Sequence, residues 1–413
     1  MKNHPKRWKW RLEWLAQTGM EICVGLLPGP LVFRLGEAIG GLAWHFMAER
    51  RHVVLRNLRI ALHGEFDLPT LEKMTLESFR RTGANLLSAA HTARLPMHKI
   101  DGILSVENPE LIEAAVAGGK GLVLMPPHMG NWEVLTRINR FFPPGHASGA
   151  FYRPLNNPIL DEQLLAQREA DGTRLFSKRD SFHLVTGFIR DGGIVGILAD
   201  QRVGIQGELV RFFGRMTRAS PLPSLMARRS RSQIFSMSLI TDGPGKWKVR
   251  YHAVEGAIST TSCMKALEQA MRANPLDVFW LQERWKVYFG KGRTIREWLG
   301  EGTHGEGTPH RALLWLAGVP DSWQIPEEWV HPDVIYEAVV APGQKPPAWF
   351  SGSEKLHIAP AGTSRDILQK ALFAMDRDAL LPLDYVLTAN APKALAKACA
   401  RESIPLVSLP SKP

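Results

Sequence analysis

The stretch Gly121–Thr136, GLVLMPPHMGNWEVLT, constrains this chain more than any other. Gly121 to Met125 is a short apolar run with no polar face, the pattern of a strand buried on both sides. Pro126 and Pro127 end it, because neither can donate to a ladder. His128 follows. Asn131, Trp132 and Glu133 then open a helix-compatible run, with Asn131 placed as its N-cap. On a straight helix, the spacing of His128 and Glu133 would hold their side chains roughly 140° apart. They meet if His128 sits on the strand-to-helix turn and Glu133 in the first helical turn. The expectation is an α/β fold with an imidazole and a carboxylate at the carboxyl end of a strand, where open sheets of this class hold ligands.

That arrangement suits general base catalysis. A neutral imidazole takes a proton from a hydroxyl, and a carboxylate behind it fixes the tautomer and stabilises the imidazolium that forms. No Ser or Cys lies between His128 and Glu133, which favours direct transfer to an external hydroxyl over a covalent enzyme intermediate. The bland alternative is that His128 caps the turn and Glu133 is a solvated acid on the helix dipole.

Two more strand ends supply polar residues. Ala147 to Phe151 reads as a strand delivering Tyr152-Arg153-Pro154, and Ile194 to Ala199 as a buried run ending at Asp200-Gln201. Polar residues converging at strand ends are what a site in this fold class needs. Arg153 suits an oxyanion or a phosphate, and a surface contact is its simpler reading. Asp200 would hold either Arg153 or the His128 loop, or would only form a turn. Between and beyond these, Thr173 to Phe176 reads as a strand, and Asn156 to Asp171, Phe182 to Arg190 and Met264 to Ala273 as helices. Gln233 to Ile240 and Lys246 to Val254 read as two strands joined at Gly-Pro-Gly.

Charge divides the chain unevenly. The net charge is +11, but residues 301 to 413 carry ten Lys/Arg against thirteen Asp/Glu, so the first 300 residues are strongly basic. A basic main domain implies an anionic partner: a phospholipid surface, a phosphorylated glycolipid, an acidic carrier protein or nucleic acid. Nucleic acid is the weakest of these, since no clustered aromatic and basic motif appears beyond the N-terminus. Arg168, Arg174, Lys178 and Arg179, with Arg228, Arg229 and Arg231, form either a phosphate- or carrier-binding face or a solvated one. Cys23, Cys263 and Cys399 are far apart and form no CxxC, which points to a reducing compartment and away from a zinc site.

At the N-terminus, Lys2, Lys6, Arg7, Lys9 and Arg11 are interleaved with Trp8 and Trp10, with Trp14 just beyond. The apolar stretch Met20–Met47 is broken by Pro28 and Pro30 and contains Arg34 and Glu37. A spanning helix is therefore not expected, nor a secretory signal. The pattern fits a segment lying in a membrane interface, or a buried helical hairpin. Arg50 to Leu62 and Leu68 to Leu95 read as helices.

Gly300 to Gly307 is a linker by composition. Beyond it, Ala312–Leu316, Val334–Val340, Leu356–Ala359, Tyr385–Leu387 and Leu406–Leu409 read as strands, and Ser364–Ala374 and Pro392–Arg401 as helices. This small α/β unit carries no phosphate-binding glycine loop and is expected to be structural or partner-binding. The expected division is an N-terminal segment (1–50), a main domain (51–299), a linker (300–310) and an appendage (311–413).

Several of these residues, in order, resemble the late acyltransferases of lipid A biosynthesis, the lauroyl/myristoyl transferase family. His128-Met129-Gly130-Asn131-Trp132-Glu133 is similar to its His-(four residues)-acid motif, and Tyr152-Arg153-Pro154 to its Tyr-Arg-Pro segment. Asp200-Gln201, Gly204, Gly207, Val210–Gly214 and Thr217 resemble its Asp-Gln…Gly…Phe-Phe-Gly…Thr block. Trp280–Lys286 resembles its Trp…Arg-aromatic-Lys ending, and Arg51, Val53, Asn57 and Leu58 its early pattern. The match covers about residues 10 to 290; Met129 stands where an aromatic is common.

The resemblance implies a mixed sheet with flanking helices of the glycerolipid/lysophospholipid acyltransferase type and membrane attachment at the N-terminus. It also implies an O-acyltransferase on the cytoplasmic face of the inner membrane. His128 would be the general base and Glu133 its orienting partner, with Asn131, Arg153, Asp200, Gln201 and Arg284 on the substrate. The donor would be an acyl-carrier-protein thioester and the acceptor a lipid A precursor, with no cofactor or metal. Phe212-Phe213-Gly214 would floor an acyl groove or pack in the core. Alternatives are the same mechanism on another glycolipid or an aminolipid, and a non-catalytic membrane adaptor.

Overall fold

The computed structural model describes residues 6–177, 179–285, 299, 308–320, 322–347, 349–350, 355–389 and 391–409. Lys2, Lys178, Lys286 and the linker residues 300–307 lie outside the described residues. The chain divides into two units. The first gathers Met1–Phe46, Leu76–Glu208 and Arg218–Phe279; the second gathers Met47–Thr75, Leu209–Thr217 and Trp280–Pro413. The C-terminal residues expected as a separate appendage thus share a unit with a segment from near the N-terminus.

Among the described residues, nine strands precede residue 280: β1 (Leu104–Val106), β2 (Leu122–Met125), β3 (Ser148–Tyr152), β4 (Arg174–Ser177), β5 (Ile194–Gly196), β6 (Glu208–Phe212), β7 (Arg215–Ala219), β8 (Gln233–Thr241) and β9 (Trp247–Ala253). The ribbon β6–β7 stands apart; the other seven form one sheet in the order β1-β9-β8-β2-β5-β3-β4. Every neighbouring pair is parallel except the β8–β9 hairpin. The fold is therefore α/β, as the sequence pattern implied, and its sheet is mixed, as the resemblance implied. β2 lies in the middle and its four residues are all buried, which is why it reads as an unbroken apolar run. Leu122, Leu124, Ile194, Met237, Leu239, Trp247 and Val249 belong to one core cluster.

The N-terminal segment is two helices, Arg7–Gly25 and Gly29–Phe46, broken where Pro28 stands. The second buries Val32, Phe33, Gly36 and Gly40. A Cβ on Gly40 would lie 2.1 Å from the carbonyl oxygen of Phe79, so only glycine allows the two backbones to come so close. The opposite faces stay apolar and exposed: Trp8, Leu12, Leu15 and Ile22 on the first helix with Leu26 just past its end, and Leu31, Leu35, Ile39, Leu42 and Phe46 on the second. These positions recur at helical spacing, so each set is one stripe. No described helix is long and apolar enough to cross a membrane.

In the second unit, β10 (His310–Trp315), β11 (Val334–Val340), β12 (Leu356–Ile358), β13 (Leu383–Thr388) and β14 (Leu406–Ser408) form a sheet in the order β12-β11-β10-β13-β14, parallel throughout. Leu368, Leu372, Leu395 and Ala398, from helices Arg365–Arg377 and Lys393–Arg401, pack against one face. Trp323, Trp329, Tyr336 and Phe350 form the core on the other. Burial opposes the charge of Glu337, yet hydrogen bonds from His357 and Arg311 hold its pKa at about 2. Phe212 and Phe213 are buried against Trp285, and Phe213 also against Trp280. Of the two readings of that pair, this is core packing.

Candidate active site

β2 and β5 are parallel neighbours, with Leu124 paired to Gly196 and the Ile197 N–H donating to the Leu124 carbonyl at 2.8 Å. His128 lies four residues beyond Leu124, and Asp200 four beyond Gly196. The register thus carries both side chains past the carboxyl edge of the sheet together. There the His128 Nδ1 lies 2.6 Å from Asp200 Oδ1. The Asp200 side chain is wholly buried and that of His128 is 13% exposed. A buried carboxylate demands a donor, so Nδ1 carries the proton and the lone pair falls on Nε2. At Nε2 stands the Gln201 side-chain amide nitrogen, 3.1 Å away. Trp132 meets the imidazole edge to face at 5.3 Å and packs in turn on Phe279.

The turn that carries His128 is fixed on both sides of the ring. Its carbonyl accepts from the Phe279 N–H at 2.8 Å, and the Gly130 N–H donates to the Asp277 carbonyl at 2.9 Å. Gly130 has φ 59°, and a Cβ there would sit 2.3 Å from the Leu239 carbonyl oxygen. The glycine in the motif is what lets the turn close against β8.

The expected contact between His128 and Glu133 is not made. Residues Trp132–Arg137 form a 3₁₀ turn rather than an α-helix, and Asn131 at its head makes no side-chain cap. Asn131 is buried and donates Nδ2 to Thr92 Oγ1 at 2.9 Å. Glu133 instead accepts from Nε and Nη2 of Arg168, on helix Pro158–Glu169, at 3.0 and 2.9 Å. The guanidinium fork matches both carboxylate oxygens, while the Nδ1 of His128 is already taken by Asp200. The orienting carboxylate of the imidazole is therefore Asp200. Of the three readings of Asp200, the contact with the imidazole selects the one in which it holds the His128 loop.

The other expected residues divide. Gln201 meets the imidazole directly. Arg153 follows β3 with its side chain exposed, and no described residue forms an ion pair with it. Beside it, the Tyr152 phenol is pushed up by burial, helped by Asp161, Asp180 and Glu169. Arg284 belongs to the second unit, where it is 1% exposed, lies over the Trp280 ring at 5.2 Å and offers its carbonyl to the Thr217 hydroxyl. Arg174, Arg179, Arg228, Arg229 and Arg231 are exposed; Arg168 is committed to Glu133. Trp132 was not foreseen, and its place between two prolines' end and an acid gave no signal beyond its size.

An apolar cavity of about 90 Å³ opens next to the imidazole's aromatic neighbour. Trp132, Leu135, Phe151, Ile194, Leu198 and Met237 line it, and Glu133 and Arg168 stand at its wall. The arrangement offers a tautomer-fixed imidazole, a polar rim and an apolar recess within one unit. Among the described residues, no group of three or more His, Cys, Asp or Glu side chains is placed to hold a metal ion.

The chain is similar to known bacterial acyltransferases. The family model of the bacterial lipid A biosynthesis acyltransferases matches residues 2–287. A lipid A biosynthesis lauroyltransferase from Escherichia coli is 26% identical over 294 residues, 69% of this chain and 93% of that protein. A lipid A biosynthesis palmitoleoyltransferase from the same organism is 24% identical over 49% of this chain and 64% of its own length. A phosphatidylinositol mannoside acyltransferase from Mycobacterium tuberculosis is 24% identical, covering 44% and 60%. The chain belongs to the bacterial lipid A biosynthesis acyltransferase family, and it is an acyltransferase.

Proposed function

We propose that this protein esterifies a hydroxyl of a lipid A precursor with a fatty acyl chain from an acyl-carrier-protein thioester, with His128 as general base. The observation that carries the mechanism is the 2.6 Å contact between His128 Nδ1 and Asp200. It leaves a lone pair at Nε2 and a carboxylate ready to stabilise the imidazolium. The acceptor hydroxyl loses its proton to Nε2 as its oxygen attacks the thioester carbonyl. The tetrahedral intermediate collapses, the carbon–sulfur bond breaks, and the imidazolium returns the proton to the leaving thiolate. Arg153 supports the reading as an exposed cation one residue past β3, suited to an oxyanion or a phosphate. The cavity beside Trp132 suits the acyl chain.

In this reading the main sheet is of the glycerolipid/lysophospholipid acyltransferase type. The exposed stripes Trp8–Leu26 and Leu31–Phe46 lie on the cytoplasmic face of the inner membrane. Basic residues among the first helix's aromatics favour anionic headgroups. Arg174, Arg179, Arg228, Arg229 and Arg231 suit an acidic carrier. A second reading, favoured by the similarity to a phosphatidylinositol mannoside acyltransferase, keeps the base and changes the glycolipid acceptor.

The test is acyl transfer by the full chain from a panel of acyl-carrier-protein thioesters to detergent-solubilised lipid A precursor and to a mannosylated phosphoinositide, read by product mass. Ester on the lipid A precursor supports the proposal. Ester only on the second acceptor moves the assignment to the alternative.

A further inference from the structure

The imidazole of His128 is closed on three sides. Asp200 holds Nδ1 at 2.6 Å, the Trp132 ring lies 5.3 Å away, and the side-chain amide of Gln201 stands 3.1 Å from Nε2. Only 13% of the His128 side chain reaches solvent, and the Asp200 side chain has none. Gln201, by contrast, is exposed. The one atom that must receive the acceptor's proton is therefore covered by the most movable of the three neighbours.

We propose that Gln201 is a stopper on the base: it occupies Nε2 until an acceptor hydroxyl displaces it, and so suppresses hydrolysis of the thioester by water. The inference rests on the acyl-transfer reading above and adds a specificity role to it. Its chemical logic is competition. Water and an alcohol are deprotonated by the same lone pair, and water is always in excess. If water reaches Nε2, its oxygen attacks the thioester carbonyl while its proton passes to the imidazole. The carbon–sulfur bond then breaks, the thiolate takes the proton, and the products are free fatty acid and carrier thiol. An enzyme that must transfer rather than hydrolyse has to exclude water from the base.

The Gln201 amide does this at low cost. An N–H donated to the lone pair gives the neutral imidazole the partner that water would otherwise supply. Exchange of that hydrogen bond for one from an incoming hydroxyl is nearly balanced. The side chain has open solvent to swing into. Water offers the same hydrogen bond as the acceptor but none of the contacts that hold a glycolipid in place, so only the acceptor keeps Gln201 displaced. Gln201 acts through His128, as a positioning residue.

Two measurements on the full-length protein test this, with Gln201→Ala beside wild type and His128→Ala as the control for the base. Diethylpyrocarbonate reacts with an unprotonated imidazole nitrogen, and modification at His128 is read by peptide mass. The rate at His128 should rise several-fold in Gln201→Ala, while other modified histidines keep their wild-type rates. The second measurement is acyl-carrier-protein thioester consumed without acceptor, against ester formed with it. The ratio of hydrolysis to transfer should rise about tenfold or more in Gln201→Ala, and both activities should fall ~10²–10⁴-fold in His128→Ala. An unchanged modification rate, or hydrolysis and transfer falling together, overturns the stopper. Faster modification from a protein that transfers no acyl chain to any acceptor keeps the stopper on His128 and removes the acyl-transfer reading beneath it.

Discussion

His128 and Asp200 are 72 positions apart in sequence and 2.6 Å apart in space, because each lies four residues past a paired position on adjacent parallel strands. The geometry is a property of the sheet register. Any change that slips β5 against β2 moves the carboxylate off the imidazole, even with both residues intact.

The pairing of Glu133 with Arg168 rather than with His128 makes a prediction for a double-mutant cycle. Glu133 and Arg168 should couple by about 0.5–1 kcal/mol in urea unfolding, the modest value expected of a bidentate pair that keeps some solvent. Glu133 and His128 should show no stability coupling beyond error. A larger coupling in the second cycle than in the first would contradict the geometry.

Acid should weaken the protein through His252. Burial, and then Arg250 beside it, lower its pKa from 6.5 to about 4, and its Nε2 lies 2.6 Å from Ser238 Oγ. The unfolded chain takes up this proton near the ordinary value, and the folded chain only near 4. The contribution is therefore complete above pH 6.5 and is lost as pH falls toward 4. Because the ring keeps partial solvent contact, its size is on the order of 1 kcal/mol. The drop in urea midpoint from pH 7.5 to 4.5 should be smaller in His252→Gln than in wild type. Equal drops would contradict the assignment.

Membrane binding should depend on the exposed stripe of the first helix. Leu12 and Leu15 are each more than half exposed, and burying a leucine in an apolar phase is worth ~1.5–3 kcal/mol. Leu12→Asp with Leu15→Asp should lower flotation with anionic phospholipid vesicles at least about tenfold, without changing the circular dichroism spectrum. Undiminished flotation would remove the stripe as the contact.

Much of this was readable from the sequence. β2, β3, β5 and β8 are mostly apolar runs with clear stops, β9 alternates apolar and polar residues, and the strand Val334–Val340 is found with the boundaries its pattern suggested. The break at Pro28 was also plain, since a proline in a helix interior removes a backbone hydrogen bond and clashes with the preceding turn. The partner of His128 was harder. Glu133 is near in sequence and carries the family motif, whereas Asp200 becomes a neighbour only once β2 and β5 pair. The 3₁₀ turn at Trp132–Arg137 was hidden for a local reason: its residues suit an α-helix, and the tight closure around Gly130 decides otherwise. The second unit was hidden for a distant one. Arg59 is buried and reaches the Asp376 carboxylate and the Ala379 and Leu381 carbonyls, more than 300 positions away. No local pattern announces a contact of that separation.

The central claim is that the His128–Asp200 pair performs the proton transfer of an acyl transfer. It is tested most directly by single-turnover ester formation from an acyl-carrier-protein thioester to lipid A precursor, in wild type, His128→Ala and Asp200→Asn. The account predicts a loss of ~10²–10⁴-fold in His128→Ala and of about 10²-fold or more in Asp200→Asn, whose amide no longer fixes the tautomer or offsets the imidazolium. Both variants should keep the wild-type circular dichroism spectrum. Wild-type rates in a folded His128→Ala protein, or a full rate in Asp200→Asn, would contradict it.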